Sequence, residues 1–307
     1  MKKIAISIGD PNGVGLEIIL NSHAEISKIC EPIYCVHHTL LERAAQILRQ
    51  ELPKGMRTYP SGEVCFIRPG KVDRESGHYS YRSFLSAIEL CEHKEADALV
   101  TLPIHKEAWS LAGIEHKGHT DMLRERFKQD AIMMLGCERM YVALFTEHIP
   151  LKEVAARVDT HSLYDFLMAF APNANRESVA VLGLNPHAGD NGVLGNEERM
   201  IEEAISHANR MLGYNAFVGP MVPDIAFTPR VREKYRYFIA MYHDQGLAPL
   251  KALYFDEGIN VSLNLPIVRT SVDHGTAFDI AYKNIASNLS YLNAIKSALA
   301  QIDKRNL

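Results

Sequence analysis

Short β-branched runs alternate with longer segments of helical spacing along most of the chain. The short apolar runs predict strands over 3–9, 32–36, 63–67, 96–101, 132–135, 140–145, 178–183, 216–218 and 238–241. Apolar residues recurring at three- and four-residue intervals predict a helix from about 14, then helices over 39–49, 81–93, 163–170, 195–211 and 290–300. In the third of these, Phe84, Leu85, Ile88 and Cys91 form the apolar stripe. Alternation of this kind predicts an α/β fold with parallel sheets covered on both faces. No repeat, low-complexity tract or Gly/Ser linker interrupts it. Two domains would therefore be joined by strands that cross between them and not by a tether.

Composition narrows the class. Across 307 residues, 47% are apolar and 23% charged, a mix that can bury a substantial core and excludes a disordered chain or a disulfide miniprotein. Lys and Arg total 33 against 37 for Asp and Glu, a net charge of −4. That offers no electrostatic case for nucleic acid or an anionic membrane. Lys2 and Lys3 precede an apolar run, but Asp10 ends it well short of a signal-peptide core. No stretch approaches the roughly 18 apolar residues of a membrane span. Five cysteines without a C-x-x-C pair read as reduced, packed thiols of a cytoplasmic protein.

The residues with chemical potential gather at the ends of predicted strands, where open α/β sheets bind ligands. Gly9-Asp10-Pro11-Asn12-Gly13-Val14-Gly15 follows the first strand and opens a helix. It is either a structural turn or an anion-binding loop, since its glycine spacing is neither a dinucleotide fingerprint nor a phosphate loop. His119 and Thr120 offer two donors to a phosphate, although Thr120 can equally cap the helix that follows. His148, His187 and His243 each leave a strand into a loop containing Pro or Gly. Singly, each reads as an ordinary histidine. Together they suit a catalytic divalent cation such as Zn²⁺, with Asp190 and Asp244 available to orient the imidazoles. Lys251, Asn260 and Arg269, nine residues apart, can converge on a phosphate or carboxylate. The apolar residues around them argue that they are partly buried and need partners.

Six ordered segments carry a resemblance over nearly the whole chain: Gly9–Gly15, 102–106 (Leu-Pro-Ile-His-Lys), 118–121 (Gly-His-Thr-Asp), 184–189 (Leu-Asn-Pro-His-Ala-Gly), 242–247 and 269–276. In this order they resemble the 4-hydroxythreonine-4-phosphate dehydrogenase family of pyridoxal phosphate biosynthesis. Residues 274–281 are also similar to the adenosine-facing loop of isocitrate and isopropylmalate dehydrogenases. One departure is Leu16, where the family usually has Pro, a residue merely favoured at a helix start.

The resemblance implies two α/β/α domains of isocitrate/isopropylmalate dehydrogenase type. A cofactor-side domain would span 1–125 plus 268–307, and a metal, substrate and dimerisation domain 126–267. It implies an active site in the interdomain cleft at the interface of a homodimer. Metal ligands carry over to His148, His187 and His243, substrate contacts to His119, Thr120, Lys251, Asn260 and Arg269. The cofactor, NAD or NADP, would meet His274, Gly275, Thr276 and Ala277 and not the first glycine loop. The implied reaction oxidises 4-phosphooxy-L-threonine at C3 and loses CO₂, with one divalent cation (Zn, Mg, Co or Mn) serving both steps. Lys251 and Asp224 are both candidates for the general base. The alternatives are a dehydrogenase of threonate or erythronate 4-phosphate on the same scaffold, a metal-dependent phosphohydrolase, or a non-catalytic scaffold. The phosphohydrolase leaves 274–281 unexplained, and the scaffold requires every motif to be coincidental.

Overall fold

The computed structural model of the chain describes residues 1–305. It opens with β1 (Lys3–Ser7), α1 (Gly15–Ile26), β2 (Glu31–Cys35), α2 (His38–Leu48), the two-residue β3 (Arg57–Thr58), α3 (Arg74–Glu92), β4 (Ala98–Thr101), α4 (Lys106–Leu111) and α5 (His119–Phe127). The middle of the chain forms β5 (Ile132–Cys137), β6 (Met140–Leu144), α6 (Leu151–Val154), α7 (Thr160–Phe170), β7 (Val179–Leu182), α8 (Glu197–Leu212), β8 (Phe217–Met221), α9 (Pro223–Ala226), α10 (Pro229–Arg232), β9 (Tyr237–Ala240) and α11 (His243–Tyr254). It ends in β10 (Ile259–Leu263), β11 (Arg269–Val272) and α12 (Leu289–Arg305).

The fold is α/β, in two compact units: Met1–Ala131 with the chain from Ile259 onward, and Ile132–Gly258. In the terminal unit the strand order is β3-β2-β1-β4-β11-β10, parallel except for the last pair. Because β10 pairs antiparallel with β11, residues 259–267 lie with this unit, as do 126–131. The expected boundaries put both stretches in the middle domain; of the expected terminal domain, 306–307 lie outside the described residues. The core on one face joins Ala5, Ile33, Phe84, Ile88, Trp109 and Leu123, contributed by two strands and three helices. In the middle unit the order is β5-β6-β9-β7-β8, with β5 antiparallel to β6 and the rest parallel. Val142, Leu144, Ala180, Phe238, Ala240 and Leu247 fill its core.

Two expectations fail for identifiable reasons. Residues 63–67 form no strand; β3, slightly earlier, pairs with β2 instead. The backbone of this stretch is tied elsewhere: Arg43 donates to the Cys65 carbonyl (3.2 Å) and the Arg68 N–H to the Asn12 side chain (2.7 Å). Phe66 stays exposed between the guanidinium groups of Arg43 and Arg68. The helix expected over 81–93 starts earlier, at Arg74, because Asp73 caps it by accepting the Ser76 N–H at 2.8 Å.

Candidate active site

In the terminal unit, Arg269 begins β11 and is almost wholly buried, 2% exposed. Register places Ser262 of β10 opposite it, and Asn260, two residues away, shares that face. The guanidinium donates to Ser262 Oγ (3.0 Å) and to Thr101 Oγ1 at the end of β4 (2.7 Å). Its Nη2 also lies 3.3 Å from Nδ1 of His119, the first residue of α5. Burial lowers Arg269 to about 9, so it remains a cation at neutral pH. Burial, followed by the Arg269 charge, drives His119 well below 6.5 and keeps it neutral. Arg can only donate, so Nδ1 of His119 accepts and its proton sits on Nε2. The edges of Phe84 (4.5 Å between ring centres) and Trp109 (5.7 Å) hold that imidazole in place.

Three enclosed polar atoms of this group lack a hydrogen-bond partner within the protein: His119 Nε2, Arg269 Nε and Asn260 Oδ1. Two are N–H donors beside a buried cation. Leaving such atoms unmatched is costly, and an anion with polar substituents satisfies them. Thr120 follows His119 inside α5; the helix is capped at Gly118 without a side-chain bond, so the capping role fails. Lys251 lies in α11 of the middle unit, its ammonium 5.8 Å from the centre of the Phe255 ring.

The Gly9–Gly15 loop is structural. Asp10 accepts the N–H of Asn12 (2.9 Å) and the Ser76 hydroxyl (3.2 Å) through its side chain, while its carbonyl takes the Gly13 N–H (3.0 Å). The Val14 N–H donates to the Thr276 carbonyl at 3.0 Å. A Cβ on Gly13 would stand 2.7 Å from that same oxygen, so glycine is what lets the two loops meet. With these N–H groups engaged inside the protein, the loop has little left for a phosphate.

The 274–281 loop is different. Gly275 is exposed, and a Cβ there would meet nothing within 4 Å. The ring of His274 turns Nδ1 to the Gly275 carbonyl (2.9 Å) while its enclosed Nε2 has no partner. Thr276 is buried, Ala277 takes a left-handed φ of 44°, and Phe278 stacks on His105 at 4.9 Å. His105 comes from the 102–106 segment, so these two motifs pack directly on one another.

In the middle unit, β6, β9 and β7 are neighbouring parallel strands, and His148, His243 and His187 follow their carboxyl ends. The rings of His148 and His243 lie 5.5 Å apart. Asp244 engages Nδ1 of His243 at 2.7 Å, which keeps the Nε2 lone pair for a metal. The donor chemistry at this pair fits a divalent cation. Among the described residues, no three His, Cys, Asp or Glu side chains are grouped to hold one, so His187 does not join the pair within this chain. Asp190 lies in the same loop as His187, with no metal cluster around it, and Asp224 is exposed on α9, which packs against that loop. Sequence reasoning missed Glu198 and Gln245, which shape these loops. Glu198 accepts the N–H groups of Leu184 (2.9 Å) and Asn185 (2.7 Å). Gln245 bridges the Met241 N–H and the Gly183 carbonyl, both at 2.7 Å.

The chain matches the family described as pyridoxal phosphate biosynthetic protein PdxA over residues 28–298. A 4-hydroxythreonine-4-phosphate dehydrogenase of Sulfurimonas denitrificans is 62% identical over 298 residues, 97% of each chain. One from Campylobacter fetus is 52% identical over 304 residues, 99% of each chain. The crystal structure of the Klebsiella pneumoniae protein of that name superposes with a TM-score of 0.84 at 32% identity, covering 98% of each chain. The chain belongs to the PdxA family of pyridoxal phosphate biosynthetic proteins.

Proposed function

We propose that this chain is a 4-hydroxythreonine-4-phosphate dehydrogenase. It would oxidise 4-phosphooxy-L-threonine at C3 with NAD or NADP, giving 3-amino-2-oxopropyl phosphate, CO₂ and the reduced nicotinamide. The enclosed Arg269–His119–Asn260 group carries this reading. Its cation and two unmatched N–H donors suit a phosphate, and the unmatched amide oxygen suits a substrate that also bears hydroxyl and amino groups. Thr120, in the same unit, would add its hydroxyl to these phosphate contacts.

His148, His187 and His243 would hold the divalent cation, and the 274–277 segment the nicotinamide cofactor. When bound, the cation supplies a Lewis acid toward the C3 oxygen and the nicotinamide accepts hydride. The chain's own work is positioning. Arg269 and its neutral neighbours fix the phosphate end, which sets where C3 can lie. Lys251 or Asp224 takes the hydroxyl proton. Two copies of the chain would share each metal site, which fits the grouping of only two of the three histidines within one chain. All five cysteines are unpaired and buried, which fits a reducing cytoplasm. No helix among the described residues is long and apolar enough to cross a membrane.

The test follows the absorbance of reduced nicotinamide with NAD⁺ or NADP⁺, a divalent metal, and 4-phosphooxy-L-threonine or the threonate and erythronate 4-phosphates. Turnover is expected with 4-phosphooxy-L-threonine, abolished by chelation and restored by metal. Preference for another phosphorylated acid, or phosphate release without nicotinamide reduction, overturns the assignment.

A further inference from the structure

The loop bearing His187 is built in an unusual way. His187, Ala188, Gly189, Asp190 and Asn191 all take left-handed φ values, from 43° to 76°. Four of the five are not glycine. Such a run is costly for L residues and persists only where its surroundings over-determine it. Its short internal bonds, Ala188 N–H to the Asn185 carbonyl (3.1 Å) and Leu194 N–H to the Gly189 carbonyl (3.0 Å), close the turn but do not anchor it to the unit.

The backbone leading into the turn is anchored by one carboxyl group, while the Asn185 side chain is shared with Glu197. Glu198, in the first turn of α8, is 6% exposed. Its Oε1 accepts the N–H groups of Leu184 and Asn185, the two residues that lead into the turn. Its Oε2 accepts the Asn185 amide at 2.9 Å. The turn then folds back over the same group: a Cβ on Gly189 would stand 2.5 Å from Oε2. Three donors and a glycine contact therefore surround one side chain. Gln245 adds to the same side by holding the Gly183 carbonyl, one residue before Leu184, to the start of the His243 loop.

We infer that Glu198 is a positioning residue for the metal site: by accepting the Leu184 and Asn185 N–H groups it sets the left-handed turn that presents His187. This rests on the reading of His187 as a metal ligand. Glu198 touches neither substrate nor metal in this account and acts only through the turn. The side-chain pattern also separates geometry from charge. A glutamine at 198 still offers one oxygen to both backbone N–H groups and loses only the bond to the Asn185 amide, which keeps Glu197 as a partner at 2.7 Å. An alanine loses all three.

The test measures Co²⁺ binding by absorption titration and amide exchange by mass spectrometry on the full-length wild type, His187→Ala, Glu198→Ala and Glu198→Gln. Glu198→Ala should weaken Co²⁺ about tenfold or more, in line with the usual effect of removing a group that orients a ligand. It should also speed exchange in peptides spanning 183–195 while the β5–β6 and α12 peptides stay as in wild type. Glu198→Gln should stay within about threefold of wild type in affinity. Co²⁺ affinity unchanged in folded Glu198→Ala overturns the inference, as does loss in Glu198→Gln equal to that in Glu198→Ala, or exchange that rises throughout the unit. If wild type itself binds no Co²⁺, or His187→Ala binds it equally well, the metal assignment fails and the inference with it. That failure is told apart because it shows before any change at Glu198.

Discussion

Replacing Asp10 with Asn should stabilise the protein, and by an amount that depends on pH. Burial pushes the Asp10 carboxyl from 3.8 up to about 6, against the pull of the Asn12 N–H and the Ser76 hydroxyl. A folded-state pKa above the unfolded one means that the native protein holds the proton more tightly. Ionisation of Asp10 therefore opposes folding above pH 6, and the opposition fades as pH falls toward 3.8. With those two values it amounts to about 3 kcal/mol at pH 8 and about 1.5 kcal/mol at pH 5. Asparagine keeps the oxygen that accepts from Asn12 and turns its amide N–H toward Ser76 Oγ, which then donates to the Asp73 carbonyl it already approaches at 3.1 Å. Wild-type stability alone cannot isolate this effect. Burial lowers both His119 and His23, so each contributes stability that is lost as pH falls below the ordinary histidine value. The assay is urea unfolding of both proteins at several pH values from 5 to 8, read as the difference between them. A difference that shrinks by about 1–1.5 kcal/mol from pH 8 to pH 5 is expected. A difference independent of pH, or one that grows as pH falls, refutes the reasoning.

Three further outcomes follow from the site. Arg269→Lys keeps the charge but loses the planar fork that spans Ser262 and Thr101, so KM for the phosphorylated substrate should rise about tenfold or more; steady-state kinetics with an unchanged KM would remove Arg269 from the phosphate site. Gly275→Val adds a side chain where the structure has open space, so thermal unfolding should match wild type while KM for NAD⁺ rises far more than KM for substrate. The reverse pattern would move the cofactor away from the 274–281 loop. Mixing His187→Ala with His243→Ala, each inactive alone, should restore part of the activity if two chains share a metal site. No recovery after verified subunit exchange means each chain builds its site alone.

What the sequence revealed and concealed divides along physical lines. The strand-end histidines were legible because an apolar run ending in a loop with Pro or Gly marks the carboxyl edge of a sheet. Only topology could add that β6, β9 and β7 are neighbours, which brings distant residues such as His148 and His243 side by side. The β10–β11 pair was missed although Ile259-Asn260-Val261-Ser262-Leu263 alternates apolar and polar residues as a strand does; what the alternation does not show is that the polar face, with Ser262, Arg269 and Ser271, is buried too.

The Gly9–Gly15 loop errs the opposite way. Glycines and an Asp after a strand look like a ligand loop because close backbone approach demands the same residues whether the partner is a phosphate or another stretch of protein. Here the partner is the Thr276 carbonyl, 3.0 Å from the Val14 N–H. Glu198 gives no local signal at all: an acidic residue in the first turn of a helix is ordinary. Its significance lies in three donors brought to it from Leu184 and Asn185, fourteen and thirteen residues earlier, by a turn whose left-handed run no composition rule anticipates. A ligand's residue type can be read along a chain, but the groups that aim it become visible only once the chain is folded.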